Sequence, residues 1–266
     1  MIEFPKVTYI VNTFNREKKL YNALDSIFDQ DYPNLEIIVV DDHSDIDTSL
    51  NISEKHPDIK VIRNRENLGL SRSRQIGVEN ASSEIISFLD DDDILVDRDK
   101  TKRHVKILLE NKHAALVCSN IMEVDDKGRN PYTIEWPEEV KAHLMKRNGI
   151  IFPSTTTVRK DSFINVAGFD SRFTRGVDSD VYRRLVLSNW TIIFENIITV
   201  DYLVVSNDKI TNHASVSSIK KNIHSNLLTL AKYKNYYIAH PKSMLVRVRN
   251  IIRLSIRYLY QKLRES

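Results

Sequence analysis

Cysteine and glycine are scarce in this sequence, and long apolar runs are absent. Cys118 is the single cysteine among 266 residues, so neither an intramolecular disulfide nor a cysteine-based zinc site can form. The six glycines include neither a dinucleotide-binding nor a P-loop fingerprint. No apolar run approaches the ~20 residues of a membrane span, and residues 1–6 lack the features of a signal peptide. We therefore expect a cytoplasmic protein without a spanning helix.

Acidic residues are nearly absent from the C-terminal segment. Residues 220–266 contain eleven Lys or Arg and a single acid, Glu265, whereas residues 1–219 contain 28 basic and 35 acidic residues. A nucleic-acid-binding protein of this size would be more uniformly basic, so we expect no nucleic-acid partner. An acidic body with a basic tail is typical of a catalytic domain that carries a surface-attachment segment.

Short β-branched runs alternate with helical patterns in the first hundred residues. Strand character occurs at residues 7–11, 35–40 and 84–89, each followed by a polar loop. Strand–helix alternation predicts an α/β fold with a mostly parallel sheet flanked by helices. Such a sheet binds its ligand at the carboxyl ends of the strands. We therefore expect the functional site where the three polar loops meet, at residues 12–15, 41–44 and 90–93.

Four consecutive aspartates, Asp90 to Asp93, end one of the predicted strands. Each carboxylate makes ionisation of its neighbours more costly, and a divalent cation such as Mn²⁺ or Mg²⁺ offsets that repulsion. The alternative is a solvated acidic loop that caps the next helix. We favour the cation site because a second aspartate-rich loop is expected beside it.

Several motifs occur in the order typical of a known family. They are residues 7–15 (VTYIVNTFN), 39–44 (VVDDHS), 67–75 (NLGLSRSRQ), 86–93 (ISFLDDDD), 168–170 (GFD) and 177–180 (VDSD). In this order the sequence resembles glycosyltransferase family 2, from about residue 5 to about residue 190. The resemblance implies an inverting nucleotide-sugar transferase with the GT-A fold, in which a Rossmann-like, mostly parallel sheet is flanked by helices.

The resemblance and the charge pattern together predict two regions. A GT-A domain would span residues 1–219, with a nucleotide-binding half at about 1–125 and an acceptor half at about 126–219. A basic helical C-terminal extension would span residues 220–266.

Donor-binding roles follow from the resemblance. Asn12, Thr13 and Phe14 match the stretch that lines the nucleoside. Asp42 matches the carboxylate that accepts a hydrogen bond from the base, as from N3–H of uracil. Arg74 matches a basic residue near the nucleotide that could pair with base or phosphate; a surface helix arginine is the alternative.

Diphosphate and metal roles follow in the same way. Asp90, Asp91 and Asp92 occupy the DxD motif, with Asp92 as the ligand of the metal that bridges the diphosphate and the other two beside the ribose. His213, within residues 212–217 (NHASVS), would contact the diphosphate or the metal; the alternative is an ordinary surface-loop histidine.

The candidate catalytic base is Asp178. The family has an acid pair at this point, and only its second member is kept, because Val177 replaces the first. Asp180 is the reserve candidate, and its alternative is an outward-facing helix acid.

The function implied by the resemblance is transfer of a sugar from a UDP-linked donor to a glycan or lipid-linked glycan acceptor. The transfer would require Mn²⁺ or Mg²⁺. It would be a step in the assembly of bacterial surface polysaccharide or glycolipid. A sugar nucleotidyltransferase is one alternative, although its glycine-rich phosphate loop is missing. A non-catalytic nucleotide-sugar-binding protein is another alternative. The sequence is compatible with an oligomer as well as with a monomer.

The C-terminal pattern predicts a basic amphipathic helix from Ser243 onward. Arg249, Arg253 and Arg257 repeat at intervals of four beside its apolar face. We expect this helix to contact an anionic membrane, on the inner face of that membrane. The same apolar face could instead pack on the protein's own sheet or on another subunit. Its apolar residues are Leu245, Val248, Ile252, Ile256, Leu259 and Leu263.

Overall fold

The computed structural model describes residues 4–204 and 215–265. Strands and helices alternate through most of this length. The strands are β1 (Val7–Thr13), β2 (Leu35–Asp41), β3 (Lys60–Arg63), β4 (Ile85–Asp90), β5 (Ile94–Leu95), β6 (Ala114–Asp125), β7 (Gly128–Tyr132), β8 (Thr157–Arg159) and β9 (Thr191–Leu203). The helices are α1 (Glu17–Phe28), α2 (Thr48–Lys55), α3 (Leu70–Asn80), α4 (Lys100–Glu110), α5 (Val140–Lys146), α6 (Lys160–Asn165), α7 (Val177–Leu187), α8 (Val216–Lys232), α9 (Lys234–Ala239) and α10 (Pro241–Glu265).

The strands form one mixed sheet in the order β3-β2-β1-β4-β8-β6-β9-β5, with β7 paired to β6. The strands β3, β2, β1 and β4 are parallel to one another. The short β8 is antiparallel to both β4 and β6, and β9 runs parallel to β6. The adjacent parallel strands β2, β1 and β4 therefore correspond to the three strands that the sequence pattern predicted.

The two faces of the sheet have separate apolar cores. Along β1, Tyr9 and Val11 lie in the core that includes Leu24 of α1, whereas Ile10 lies in the core on the opposite face. Successive side chains of a strand point to opposite faces, so a strand that is apolar at every position is covered on both sides. This burial explains why β1 and β2 read as continuous apolar runs rather than as alternating ones.

Helix α3 approaches the sheet unusually closely. A Cβ atom at Gly77 would lie 2.5 Å from Cγ2 of Ile10 in β1, so a larger residue would push the helix outward. Glycine at this position therefore lets the helix carry Arg74, one turn earlier, close to the strand ends.

Several elements were not predicted from the sequence. They include α4, the long strand β9, and α5 within the stretch 131–157 that had no clear pattern. In α4 the buried side chains include Lys100, Thr101 and His104, so its inward face is not an apolar stripe. Cys118 is buried in β6 and packs in one of the two apolar cores.

Helices α8, α9 and α10 complete the described chain. Ser215 caps α8 by accepting a hydrogen bond from the backbone N–H of Ser218, at 3.1 Å. Helix α10 contacts α8, α9 and α5. Within residues 4–204 and 215–265, no helix combines the length and the apolar character needed to cross a bilayer.

Candidate active site

The carboxyl ends of β1, β2 and β4 meet at one edge of the sheet. β1 pairs in register with both neighbours, so Thr13 lies beside Asp41 and Asn12 lies beside Asp90. The three polar loops that follow these strands are thereby brought together, as the strand pattern predicts.

Asp91 is the buried member of the acidic loop. Its carboxylate accepts hydrogen bonds from Thr13 Oγ1 at 2.7 Å and from Arg16 Nη1 at 3.1 Å. Burial raises the pKa of Asp91 to about 6; Thr13 and Arg16 oppose this increase, and the charge of Asp92 adds to it. Asp91 is thus held in the interior of the loop, and the residues on either side of it lie nearer to solvent.

Arg16 is a site residue that the sequence patterns did not reveal. It precedes α1, and its Nη1 also donates to Asp92 Oδ2 at 2.8 Å. The side chain is 12% exposed. Arg16 therefore supplies part of the positive charge that four adjacent carboxylates require. The available signal was a single basic residue directly after the loop at 12–15.

Arg74 connects the acidic loop with the candidate base. Its guanidinium donates hydrogen bonds to Asp90 and to Asp178, and its side chain is 2% exposed. Burial alone would lower the pKa of Arg74, but Asp178 and Asp90 together raise it above its ordinary value. The alternative of a surface arginine is wrong. One planar guanidinium spans both carboxylates, so the two acids lie on either side of it.

Asp178 occupies the first turn of α7. The helix begins directly after Gly176, whose φ of 63° is favourable for glycine. Burial raises the pKa of the Asp178 carboxyl, although the Arg74 guanidinium opposes this increase. The side chain keeps 19% of its surface exposed. Asp178 is therefore a carboxylate with strengthened basicity that solvent, and hence a substrate, can reach.

Asp180 has a different environment from the one expected. It is fully buried and accepts hydrogen bonds from Tyr233 Oη at 2.6 Å, from Lys232 Nζ at 2.9 Å and from Arg184 Nε at 3.0 Å. The expectation of an outward-facing helix acid is wrong, because α8 covers this side of α7. Its donors hold both carboxylate oxygens, which leaves Asp178 as the accessible acid of this helix.

Asp42 organises the loop before α3. Its carboxylate accepts hydrogen bonds from the backbone N–H groups of Leu68 and Gly69, both at 2.8 Å, and from Asn64 Nδ2 at 2.9 Å. Two of these bonds use Oδ1 and one uses Oδ2. A carboxylate oxygen has two lone pairs, so Oδ2 can still accept a hydrogen bond from a ligand.

Asn12 and Phe14 flank the buried Thr13 at the end of β1. Within the part of the chain that the structure describes, the buried Asn12 Nδ2 has no hydrogen-bond acceptor. Buried donors are almost always paired in proteins, so this amide suits a ligand acceptor. Phe14 is half-buried, and a partly open ring can stack on a flat ligand group.

Three aromatic side chains lie near the acidic loop and were not singled out from the sequence. The ring centroid of Phe152 is 5.7 Å from that of Tyr132 and 5.2 Å from that of Tyr202. Burial and the nearby charges of Asp93 and Asp90 raise the pKa of Tyr202. Tyr132 is 40% exposed. The cluster provides an open aromatic surface beside the carboxylates.

The donor set for a divalent cation is small. Among the residues that the structure describes, no three His, Cys, Asp or Glu side chains form a group that could hold a metal ion. Mg²⁺-type sites need only one or two carboxylates when substrate phosphates supply other ligands. Asp92, 17% exposed at the rim, fits that role. His213 lies outside the described residues.

The sequence model of glycosyl transferase family 2 matches residues 8–182, which is most of the chain. The chain belongs to glycosyltransferase family 2. The matched segment contains the strand-end loops, Arg74 and the start of α7, so it includes the described site.

A relative from Campylobacter jejuni is 42% identical to this family 2 chain over 96 residues. It is named GalNAc(5)-diNAcBac-PP-undecaprenol beta-1,3-glucosyltransferase, and the match covers 35% of this chain and 31% of the relative. For the first three curated relatives the matched share of the relative runs from 31% to 66%. This chain therefore spans less than two thirds of their length.

Two solved structures show the fold. S. aureus TarS 1–349 in complex with UDP-GlcNAc has a TM-score of 0.65 at 19% identity, covering 88% of this chain and 73% of TarS. The mannosyltransferase PcManGT from Pyrobaculum calidifontis, in complex with GDP-Man and Mn²⁺, has a TM-score of 0.66 at 18% identity, covering 96% of this chain and 74% of PcManGT. The predicted GT-A fold is confirmed.

Packing accounts for the departure of this family 2 glycosyltransferase from the expected acid pair. Val177, in place of the first acid, is 4% exposed and belongs to the core beneath α7. A carboxylate there would be buried among apolar side chains at a large cost. The substitution therefore leaves Asp178 as the acid that faces the acidic loop.

Proposed function

We propose that this chain transfers a sugar from a nucleotide-sugar, UDP-linked, to a hydroxyl group of a glycan acceptor, with inversion at the anomeric carbon. The observation that carries the proposal is the bridge of Arg74 between Asp90 and Asp178. It places a basic carboxylate next to the loop that would hold the donor diphosphate. An inverting transfer needs these two features side by side and needs no protein nucleophile.

In this mechanism Asp178 accepts the proton of the acceptor hydroxyl as that oxygen attacks. The raised pKa of its carboxyl favours proton acceptance. Arg74 fixes the position of the carboxylate through a charged hydrogen bond. Mn²⁺ or Mg²⁺ at Asp92 would neutralise charge on the leaving diphosphate.

Donor recognition is proposed for the loops of β1 and β2. Oδ2 of Asp42 would accept N3–H of uracil, the amide of Asn12 would donate to the nucleoside, and Phe14 would contact it. Support comes from the unpaired Asn12 amide within the described residues and from the free lone pair of Asp42. Guanine also presents an N–H to a carboxylate, so UDP and GDP must be compared directly.

The acceptor is proposed to be a glycan, and specifically a lipid-linked one used in surface polysaccharide or glycolipid assembly. The name of the Campylobacter relative includes an undecaprenol-linked glycan, which supports this choice. The cluster of Tyr132, Phe152 and Tyr202 would receive a sugar ring, because aromatic faces pack against the apolar faces of sugars. The enzyme would act at the cytoplasmic face of the membrane.

A thermal-shift titration tests the donor and metal assignments together. The wild-type chain should be stabilised by UDP with Mn²⁺ more than by GDP with Mn²⁺, and little by either component alone. Asp92→Ala should lose the Mn²⁺-dependent part, because the diphosphate loses its bridge. Asp99→Ala is the matched control, since Asp99 is exposed and its side chain makes no capping hydrogen bond.

Two outcomes would contradict the proposal. If Asp92→Ala still binds UDP in a Mn²⁺-dependent way, the metal assignment is wrong. If the wild-type chain responds to no nucleotide and transfers sugar from no member of a nucleotide-sugar panel, the non-catalytic alternative replaces the proposed activity.

A further inference from the structure

The outer face of α10 is an apolar surface that the rest of the described chain does not cover. We define the α10 stripe as Leu245, Ile252, Ile256, Leu259 and Leu263. Their exposed fractions are 60%, 54%, 62%, 58% and 77%. Single exposed apolar residues are common on proteins, but five in one row form a continuous patch that indicates an interaction site.

The opposite face of α10 is the one that packs on the protein. Ser243 and Arg247 on that face are 4% and 2% exposed. Arg247 donates hydrogen bonds to the carbonyl oxygens of Met145 and Leu144, at 2.9 Å and 3.1 Å. The possibility that the apolar stripe packs on the protein's own sheet is therefore wrong. The face that carries Ser243 and Arg247 fixes the helix to the protein, and the α10 stripe is directed outward.

A row of arginines borders the α10 stripe. Arg249, Arg253 and Arg257 are exposed and repeat at intervals of four residues, so they lie along one side of the helix. Arg249 and Arg253 line one open depression together with Ile252 and Ile256. Between Asp208 and Glu265 the sequence contains no acidic residue, so this row has no carboxylate neighbour on its own helix.

We propose that the α10 stripe and its arginine row bind the surface of an anionic lipid bilayer. An amphipathic helix lying in the interface buries its apolar face among the acyl chains while its basic side chains reach the phosphates. The charge of the helix is complementary to that surface. At about 1.5 Å per residue, the stripe from Leu245 to Leu263 gives a contact about 27 Å long.

A second copy of the chain fits the same surface less well. Pairing two α10 stripes antiparallel would place the two arginine rows against each other, since equivalent flanks meet in such a pair. Pairing them parallel would offer the arginine rows no nearby carboxylate, because Glu265 at the end of the helix is its single acid. Like charges at close range oppose association, whereas lipid phosphates remove the repulsion.

The proposed membrane contact rests on the proposed function, because a lipid-linked acceptor is reached at a membrane. Its test does not depend on that function. Vesicle binding is measured without nucleotide, and sugar transfer is measured separately on a water-soluble acceptor without vesicles. Failure of one measurement therefore leaves the other interpretable.

The experiment is co-sedimentation with two kinds of vesicle. One contains phosphatidylcholine alone, and the other also contains roughly 30–40% phosphatidylglycerol, which gives a strongly negative surface. Wild-type protein should bind the anionic vesicles, bind more weakly at high salt, and bind neutral vesicles least. The triple variant Arg249→Glu, Arg253→Glu, Arg257→Glu should bind at least about 100-fold more weakly, since each basic residue contributes roughly fivefold.

Two further variants separate charge from apolar contact. Ile252→Ser, Ile256→Ser, Leu259→Ser removes stripe residues that are already exposed, so folding should survive while vesicle binding is lost. Lys106→Glu, Lys112→Glu, Lys127→Glu is the matched control, with the same net charge change at exposed positions outside α10. It should bind vesicles within a fewfold of wild type. Circular dichroism confirms that each variant is folded.

Absence of wild-type binding to anionic vesicles would overturn the proposal. So would equal binding by wild type and both α10 variants. Concentration-dependent dimerisation that the serine variant abolishes, together with no vesicle binding, would assign the surface to a second copy instead.

Discussion

At the scale of single residues, the proposed activity depends on Arg74 and Asp178. Asp178 is buried enough for its carboxyl pKa to rise, and its ion pair with Arg74 opposes that rise and fixes the position of the carboxylate. The same guanidinium reaches Asp90. Removing the charge of Asp178 should therefore affect proton transfer more than donor binding.

Asp178→Asn should lower turnover by roughly two to four orders of magnitude, because the amide cannot accept the proton of the acceptor hydroxyl. Nucleotide binding in the thermal-shift titration should be retained. Asp180→Asn is the informative comparison: it should lower the melting temperature, since Lys232 and Tyr233 lose their charged acceptor. Turnover of Asp178→Asn within tenfold of wild type would move the base elsewhere.

At the scale of elements, α7 is held in place by the C-terminal helices. Arg183 of α7 and Arg247 of α10 both donate to the carbonyl oxygen of Leu144 and to Oδ1 of Asn148 at the end of α5. The carbonyls of a helix's last turn lack partners within the helix, and two arginines fill that need here. Asn148 also lies against Gly176, where a Cβ atom would be 2.7 Å from Nδ2. The end of α5 thereby connects α10 to Gly176, the residue before α7.

Arg247→Ala should lower the melting temperature by roughly 5 °C or more, because several buried acceptors lose a charged donor. Arg249→Ala, two residues away on the exposed flank, should change it by about 1 °C or less. Differential scanning calorimetry measures the melting temperatures of the two variants and of the wild type. Equal, small changes would show that α10 is a detachable tail rather than part of the fold.

At the scale of the whole molecule, a buried lysine links stability to pH. Lys100 on α4 is fully buried, with its Nζ 5.5 Å from the centre of the Tyr9 ring. Among the described residues its Nζ has no hydrogen-bond acceptor. Burial lowers the pKa of Lys100 to about 7, against attraction from Asp97 and Glu195. The nearby His104 is also buried, and its pKa falls to about 4.

The free energy of unfolding should therefore rise between about pH 7 and pH 10. The unfolded chain keeps a lysine pKa near 10.4, so in this window it binds more protons than the folded chain, and stability increases with pH. Below about pH 7 both states are protonated, and the burial cost is present in full. Lys100→Met should be more stable than wild type at pH 7, and its advantage should shrink by on the order of 1 kcal/mol per pH unit.

Urea unfolding at pH 7, 8 and 9 measures this difference. Lys102→Met is the control, because Lys102 lies on the same helix with 45% of its side chain exposed. It should change stability equally at all three values. A pH-independent difference for Lys100→Met would show that Lys100 keeps its proton in the folded chain.

The sequence alone determined the strands β1, β2 and β4 and the sheet edge at which the candidate site lies. Residues 9–11 and 37–40 are continuous apolar runs, and this pattern arises when both faces of a strand are covered. The polar loops after such strands must meet at one edge. The amphipathic character of α10 was equally readable, because helical periodicity is a local property.

Only the tertiary structure decided which polar side chains pair with which. Arg16, Arg74 and Arg247 look alike in the sequence, yet one neutralises the acidic loop, one bridges two carboxylates and one fills the carbonyls at the end of α5. Asp180 is buried although its spacing suggested exposure. These differences arise because ion pairs and hydrogen bonds join residues distant in the chain. Their partners depend on the order of the strands in the sheet and on how the C-terminal helices pack on the rest of the chain, and neither has a local signal.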